Sequence, residues 1–156
     1  MGDLIQQLID DHRTIEELCD RFCATLDRDV LILLCHELES HDAAEAAVVD
    51  RLIELDLPMP RARQIVADAR DERENRRVAI ETVRGATDLP TAEVGRVLAL
   101  ALHHTLTQEN SVFPQIREHC SRADLVGLGR RLTEAKELIA SWRRRVDVDV
   151  ELDPER

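Results

Sequence analysis

The sequence predicts an all-α fold: an up-down-up-down four-helix bundle with an additional C-terminal helix. Three observations lead there. Apolar residues recur at alternating spacings of three and four along almost the whole chain, the signature of one buried helix face. Two Phe, one Trp and no Tyr leave Leu, Val, Ile and Ala to fill the core, a palette that suits helices better than a β-sandwich. The breaks in the pattern are few and short, so consecutive helices run antiparallel.

The first helix, about residues 3 to 26, carries Ile5, Leu8, His12, Ile15, Cys19, Phe22 and Leu26 on one stripe. The second, about 29 to 55, repeats the pattern with Leu31, Leu34, Leu38, His41, Glu45, Val48 and Leu52, and Asp27 or Asp29 can cap its start. Leu57 to Pro60 (LPMP) breaks the chain, and Pro60 suits the first turn of a third helix. That helix runs to about Val83 and stops at Gly85. Its inward face reads Ile65, Ala69, Glu72, Arg76, Ala79 or Ile80, and Val83, and is the poorest in apolar residues. Asp88 and Pro90 start a fourth helix, which passes through His104 and Glu109 to Pro114 and resumes, bent, to about His119. Ser121 with Asp124 resembles a capping box for the fifth, which carries Leu125, Leu128, Leu132, Leu138 and Trp142. Residues 1–145 read as one domain, and 146–156 as a short acidic tail whose structure, extended or disordered, the sequence leaves unassigned.

Composition narrows the function. A formal net charge of −11 argues against nucleic acid, whose phosphates call for clustered Lys and Arg, and against an anionic membrane surface. No apolar stretch approaches transmembrane length, and MGDLIQQLIDDH does not read as a signal peptide. Cys19, Cys23, Cys35 and Cys120 form no CxxC and read as reduced, mostly buried residues of a cytoplasmic protein. Trp142 with Arg143–Arg145 reads as a helix C-terminus balancing its dipole or as a partner surface. The chain is expected to be a monomer or weak homodimer.

The polar interruptions of the helix stripes share an address. His12, His41 with Glu45, Glu72 with Asn75, and His104 with Gln108 and Glu109 all lie near helix midpoints. In an antiparallel bundle midpoints face one another at one depth, and at about 1.5 Å of rise per residue a two-residue error moves the level by only about 3 Å. Burying an unpaired ionisable group costs several kcal/mol against a total stability of about 5–15 kcal/mol. Inward imidazoles and carboxylates must therefore compensate one another, through a metal ion or through a metal-free His–Glu hydrogen-bond network. His41 and Glu45 are i, i+4 and point at one ion, whereas His104 and Glu109 are i, i+5 and would straddle it. His36 and His119 fall off the stripes and are expected at the surface, and His103 points away from its neighbour.

The segments DDH (Asp10 to His12), HDAAE (His41 to Glu45) and HHTLTQENSVFP (His103 to Pro114) resemble the successive ligand segments of hemerythrin-like HHE domains. SRADLVGLGRRLTEAKEL is similar to the segment after the fourth helix in bacterial members. The resemblance implies a non-haem iron centre and roles in O2 binding, O2 or redox sensing, iron handling, or defence against peroxide and nitric oxide. It implies His12, His41 and His104 as imidazole ligands and Glu45 and Glu109 as bridging carboxylates. The departure is on helix three, where ARDERENRRV has no His: Asn75 stands where an imidazole is expected, Asp71 lies one turn earlier, and Glu72 is the nearest inward carboxylate. The resemblance thus implies a surviving first half-site of His12, His41, Glu45 and Glu109 and a second that keeps only His104 plus whatever Glu72, Asp71 or Asn75 offers. The centre is then di-iron, mononuclear, asymmetric or vestigial, with another divalent metal as an alternative.

Other metal and catalytic classes fit less well. None of the six His has Glu three residues before it, as ferritin-like di-iron sites require. There is no Tyr for a radical, no HExxH and no Gly-rich phosphate loop. The rival of a different class is a degenerate, metal-free bundle serving as an interaction module.

Overall fold

The structure is a computed structural model that describes the backbone of residues 2–152 and the side chains of residues 2–145. It is all-helical, with no strand among the described residues. Helix α1 (Leu4–Thr25) is capped by the Asp3 carboxylate, which accepts from the Gln6 N–H at 2.8 Å. Helix α2 (Arg28–Glu45) is capped by Asp27, not Asp29, and runs without interruption through a π-helical turn (Ala46–Asp50) into α3 (Arg51–Leu55). After the LPMP break α4 spans Ala62–Gly85. Helix α5 (Thr91–Thr107) likewise passes through a π-turn (Gln108–Val112) into α6 (Phe113–His119), and α7 spans Arg122–Leu152.

The four long runs close a ring: α1 packs on α2, α2 on α4, α4 on α5 and α5 on α1, while α7 lies across α1 and α2. Two apolar clusters fill its interior. One gathers Leu4, Ile5 and Leu8 from the start of α1 with Val48, Leu52 and Ile53, Val66, and Phe113 and Ile116. The other gathers Ile15, Cys19 and Phe22 from the end of α1 with Leu31, Leu34 and Leu38, Ala79, Ile80 and Val83, and Val94 and Val97. Helix starts meet helix ends, a grouping compatible with alternating directions. At about 1.5–3 kcal/mol for each large apolar side chain, these clusters are the main source of stability. Between them lies the buried polar layer of His12, His41, Glu45, Arg76, His104 and Gln108.

Helix α7 is fastened to α1 by a close approach that needs glycine. A Cβ on Gly129 would stand 2.8 Å from both Gln7 Nε2 and Gly2 O. Instead, Gln7 donates to the Gly129 carbonyl at 3.0 Å and accepts from Thr133 Oγ1 at 3.0 Å. The Ser121–Asp124 capping box forms, with Ser121 N–H reaching Asp124 Oδ2 at 3.0 Å and Asp124 N–H reaching Ser121 Oγ at 3.2 Å.

Several sequence expectations are corrected. Leu26 is not on the α1 stripe: it terminates the helix at φ 52°, 66% exposed, where its N–H returns to Phe22 O. Pro60 lies in the turn ahead of α4, which begins at Ala62. Leu138 and Trp142 are exposed, because the inward face of α7 continues from Leu132 through Ala135 and Ile139. The backbone of α7 continues to Leu152, where the sequence predicts a separate tail from residue 146. The side chains of that stretch and residues 153–156 lie outside the described residues. All four cysteines are free: Cys19 and Cys35 are buried, Cys120 is half-buried and Cys23 is exposed. Burial pushes the Cys19 thiol up to about 12 and that of Cys35 to about 11, which leaves both protonated and inert.

Candidate metal centre

Three helices deliver one imidazole each to the same point. His12 from α1, His41 from α2 and His104 from α5 are buried, and one ring nitrogen of each lies within 4.8 Å of the others. Their ring centroids are 5.0, 5.6 and 5.2 Å apart. His41 Nε2 and His104 Nε2 approach to 3.1 Å, and Glu45 Oε2 lies 3.3 Å from His104 Nε2 and 3.6 Å from His41 Nε2. Phe113 stacks on His12 at 5.6 Å and 10° and fixes its plane.

The outer edge of each ring faces a carboxylate. His12 Nδ1–H donates to Glu109 Oε1 at 2.9 Å, and Glu109 Oε2 accepts from Arg13 Nη2 at 2.6 Å. His41 Nδ1–H reaches Asp11 Oδ2 at 3.3 Å, and Lys136 of α7 holds the other Asp11 oxygen at 2.5 Å. Glu72 Oε2 lies 3.9 Å from His104 Nδ1. At His12 and His41 a carboxylate within hydrogen-bond reach of Nδ1 favours the tautomer with Nε2 unprotonated, the arrangement typical of metal-bound imidazoles. His12 Nε2 and Glu45 Oε2 are buried and have no hydrogen-bond partner.

The donor set fits a metal ion. Two ligand atoms each about 2.0–2.1 Å from one ion, at tetrahedral to right angles, stand about 2.9–3.4 Å apart. The contacts among His41, His104 and Glu45 fall in or just outside that range. The three imidazole nitrogens, with Glu45 Oε2 beside those of His41 and His104, are donors that suit iron or zinc. Without metal, protons carry the compensation. Burial pulls His104 down, but the Glu45 carboxylate 3.3 Å from its Nε2 outweighs this and lifts it to about 9. Burial likewise raises Glu45, and the opposing pull of His104, His41 and Arg73 takes it to about 2. His12 goes the other way, to about 4, because burial and the neighbouring His41 disfavour its charge.

The wall formed by α4 is of another kind. Of the three helix-three candidates, Glu72 faces the layer, with Oε2 3.9 Å from His104 Nδ1, whereas Asp71 and Asn75 are exposed. Arg76, on the inward face as the sequence predicts, also faces the layer, and Arg73 closes its edge. Arg76 is 1% exposed and grips Asp42 with both arms, Nε to Oδ2 at 3.0 Å and Nη2 to Oδ1 at 2.6 Å. Arg73 pairs with Asp50 and brings Nη1 within 3.8 Å of Glu45 Oε2. Sequence reasoning does not find Asp11, Asp42, Arg73 or Arg76 as site residues, although an arginine on an otherwise apolar stripe is a readable sign for Arg76.

Both π-turns border this layer. The first begins directly after Glu45, and the second holds Gln108 and Glu109. The second has a cause: Pro114 has no N–H to give the turn before it, and an i+5 turn absorbs the defect. It also alters the expected geometry, since residues five apart come nearer to one face in a π-turn than in a regular α-helix. Nothing in AAVVD foretells the first. A cavity of about 160 Å³ opens against the layer, with Glu45, Glu72, His104 and Gln108 on its polar side and Val49, Ile53 and Val66 among its apolar lining. Gln108 is buried with its Oε1 unpartnered. His36 and His119 are exposed, and exposed His103 stands 3.6 Å from Glu72. No helix among the described residues is long and apolar enough to cross a membrane.

No family model matches the chain, and no curated protein or solved structure matches it.

Proposed function

We propose that this chain is a hemerythrin-like metal protein, an antiparallel four-helix bundle with α7 as the additional helix. It binds iron through His12, His41, His104 and Glu45. The observation that carries the reading is the convergence of three buried imidazoles whose Nδ1 edges face carboxylates while His12 Nε2 and Glu45 Oε2 have no hydrogen-bond partner. In this reading Glu109 and Asp11 orient His12 and His41, and Glu72 backs His104. Bound iron would supply a redox-active ion with room for O2 or nitric oxide. The cavity beside His104 and Glu45 is large enough for such a molecule and lined mainly by apolar groups. The role we favour is O2 or redox sensing, iron handling, or defence against oxidative and nitrosative stress in the cytoplasm.

Anaerobic loading with Fe(II), followed by elemental analysis and thermal unfolding, tests this. Bound iron and a rise in Tm are expected, and His12→Ala and His41→Ala should abolish both. At a free metal concentration about a hundred times Kd the stabilisation is about 2.7 kcal/mol.

One observation favours a second reading. Arg73 and Arg76 already place cations beside the carboxylates, so a metal-free bundle acting as an interaction module can hold this layer together. It requires both His variants to change Tm equally with and without Fe(II).

A further inference from the structure

The polar layer contains two overlapping sets of metal-ligating atoms. Besides the three imidazoles, Asp42, Glu45 and His104 bring one ligand atom each within 4.8 Å of one another. Glu45 and His104 are almost wholly buried, and Glu45 Oε2 has no hydrogen-bond partner. The two sets meet at His104, and Glu45 Oε2 lies 3.3 Å from His104 Nε2 and 3.6 Å from His41 Nε2, so two ions could stand side by side, one toward α1 and one toward α4.

The second position is already taken by a cation of the chain itself. Both Asp42 oxygens are engaged by Arg76, at 3.0 and 2.6 Å, and Arg76 Nη1 lies 3.9 Å from Glu72 Oε2. Arg73 Nη1 is 3.8 Å from Glu45 Oε2. The free arms of both guanidiniums, Arg73 Nη1 and Arg76 Nη1, are buried without a hydrogen-bond partner, as is Glu45 Oε2. A guanidinium stays charged at any physiological pH and has only donors to offer, so it neutralises carboxylates and ligates nothing. A divalent ion at the Asp42 position would have to break the two-armed pair and then sit beside the displaced charge.

We infer that the Arg76 guanidinium fills a second cation position built from Asp42, Glu45 and His104, and thereby limits the centre to one metal ion. The inference rests on the metal-binding reading above. It assigns to Arg76 the choice between one metal and two, and to Asp42 a latent ligand role.

Counting metal per chain tests it. The full chain is loaded anaerobically with excess Fe(II), desalted, and analysed for iron and protein, and the air-oxidised sample is examined by electron paramagnetic resonance. Wild type should hold one iron and give an isolated ferric signal. Arg76→Gln, which removes the charge but keeps a donor for Asp42, should hold two and lose most of that signal through coupling between the ions. Adding Asp42→Asn to Arg76→Gln should return the count to one. Two irons in wild type would overturn the inference while leaving the metal reading intact, and no iron in wild type would overturn both. A folded Arg76→Gln that still holds one would also overturn the inference. If Arg76→Gln does not fold alone, the wild-type count and signal decide, and Arg76→Lys, which retains the cation, must also hold one.

Discussion

One wall of the polar layer, from α1, α2 and α5, presents three imidazoles; the opposite wall, from α4, presents two guanidiniums. Both bury polar groups between the same two apolar clusters, and they do so by different means. An imidazole can be buried neutral and keep a lone pair, so that wall leaves electron pairs in need of a proton or a metal. A guanidinium is always charged, so the α4 wall must match every arginine with a carboxylate inside the protein. The first wall is thus completed by something that comes and goes, the second by the chain itself. The difference should appear when each wall is cut.

The largest effect is expected on the arginine wall. Arg76→Ala leaves Asp42 with an unmatched charge beside Glu45 and Glu72, and breaking a buried pair from one side costs about 3–5 kcal/mol. Asp42→Asn should cost less, since Asp42 is partly exposed. The double variant should lose clearly less than the sum of the two, by about 0.5–3 kcal/mol. Urea denaturation of the metal-free protein measures all four corners of this cycle. A loss below about 1 kcal/mol for Arg76→Ala would mean that the pair does not hold the wall.

The imidazole wall should respond through metal affinity instead. Asp11→Asn and Glu109→Gln keep the shape of the carboxylates but weaken their hold on His41 and His12. Loss of such a partner typically lowers metal affinity about 10–100-fold. Titration with Fe(II), read by calorimetry under anaerobic conditions, should show that loss, with unfolding of the metal-free protein changed much less than by Arg76→Ala. Glu81→Gln, on the exposed face of α4 where it meets Arg77, is the control and should leave affinity unchanged. Equal losses in all three variants would show a general charge effect and remove the distinction between the walls.

The two walls are also unequally legible in the sequence. Every inward position assigned to the second helix, from Leu31 to Leu52, is buried, and so is the first helix stripe up to Phe22. There a 3.6-residue period and a contrast between apolar and polar residues give the phase directly. On α4 the polar Asp71, Glu72, Arg73, Glu74, Asn75, Arg76 and Arg77 stand in one run, so the inward phase of Glu72 and Arg76 rests only on the apolar residues at its two ends. Periodicity places Arg76 inward there, whereas the resemblance points to Asn75, which is exposed. The π-turns are hidden for a related reason: each inserts a fraction of a turn that no residue type encodes, apart from Pro114. Pairings such as Lys136 with Asp11 join residues 125 apart in the chain, which no local pattern reveals.

Leu26 belongs to neither wall and gives the smallest expected effect. Its φ of 52° and ψ of 28° place an L-residue with a full side chain in the left-handed region, at a cost of about 1–2 kcal/mol. The backbone is held there by the Leu26 N–H to Phe22 O bond of 2.7 Å, which closes α1 before Asp27 caps α2. Leu26→Gly removes the steric penalty and keeps that bond, and the side chain it deletes is 66% exposed, so little apolar contact is lost. Against this, glycine adds about 0.5–1 kcal/mol of conformational freedom to the unfolded chain. The balance is a gain of about 0.5–1 kcal/mol, or about 1–4 °C in Tm for a chain of this size. Iron stoichiometry and affinity should not move, because the substitution changes the turn between two helices without touching either wall. A lower Tm would show that the exposed leucine contributes more through packing than its conformation costs, and a changed affinity would show that the α1–α2 turn helps to set the spacing of His12 and His41.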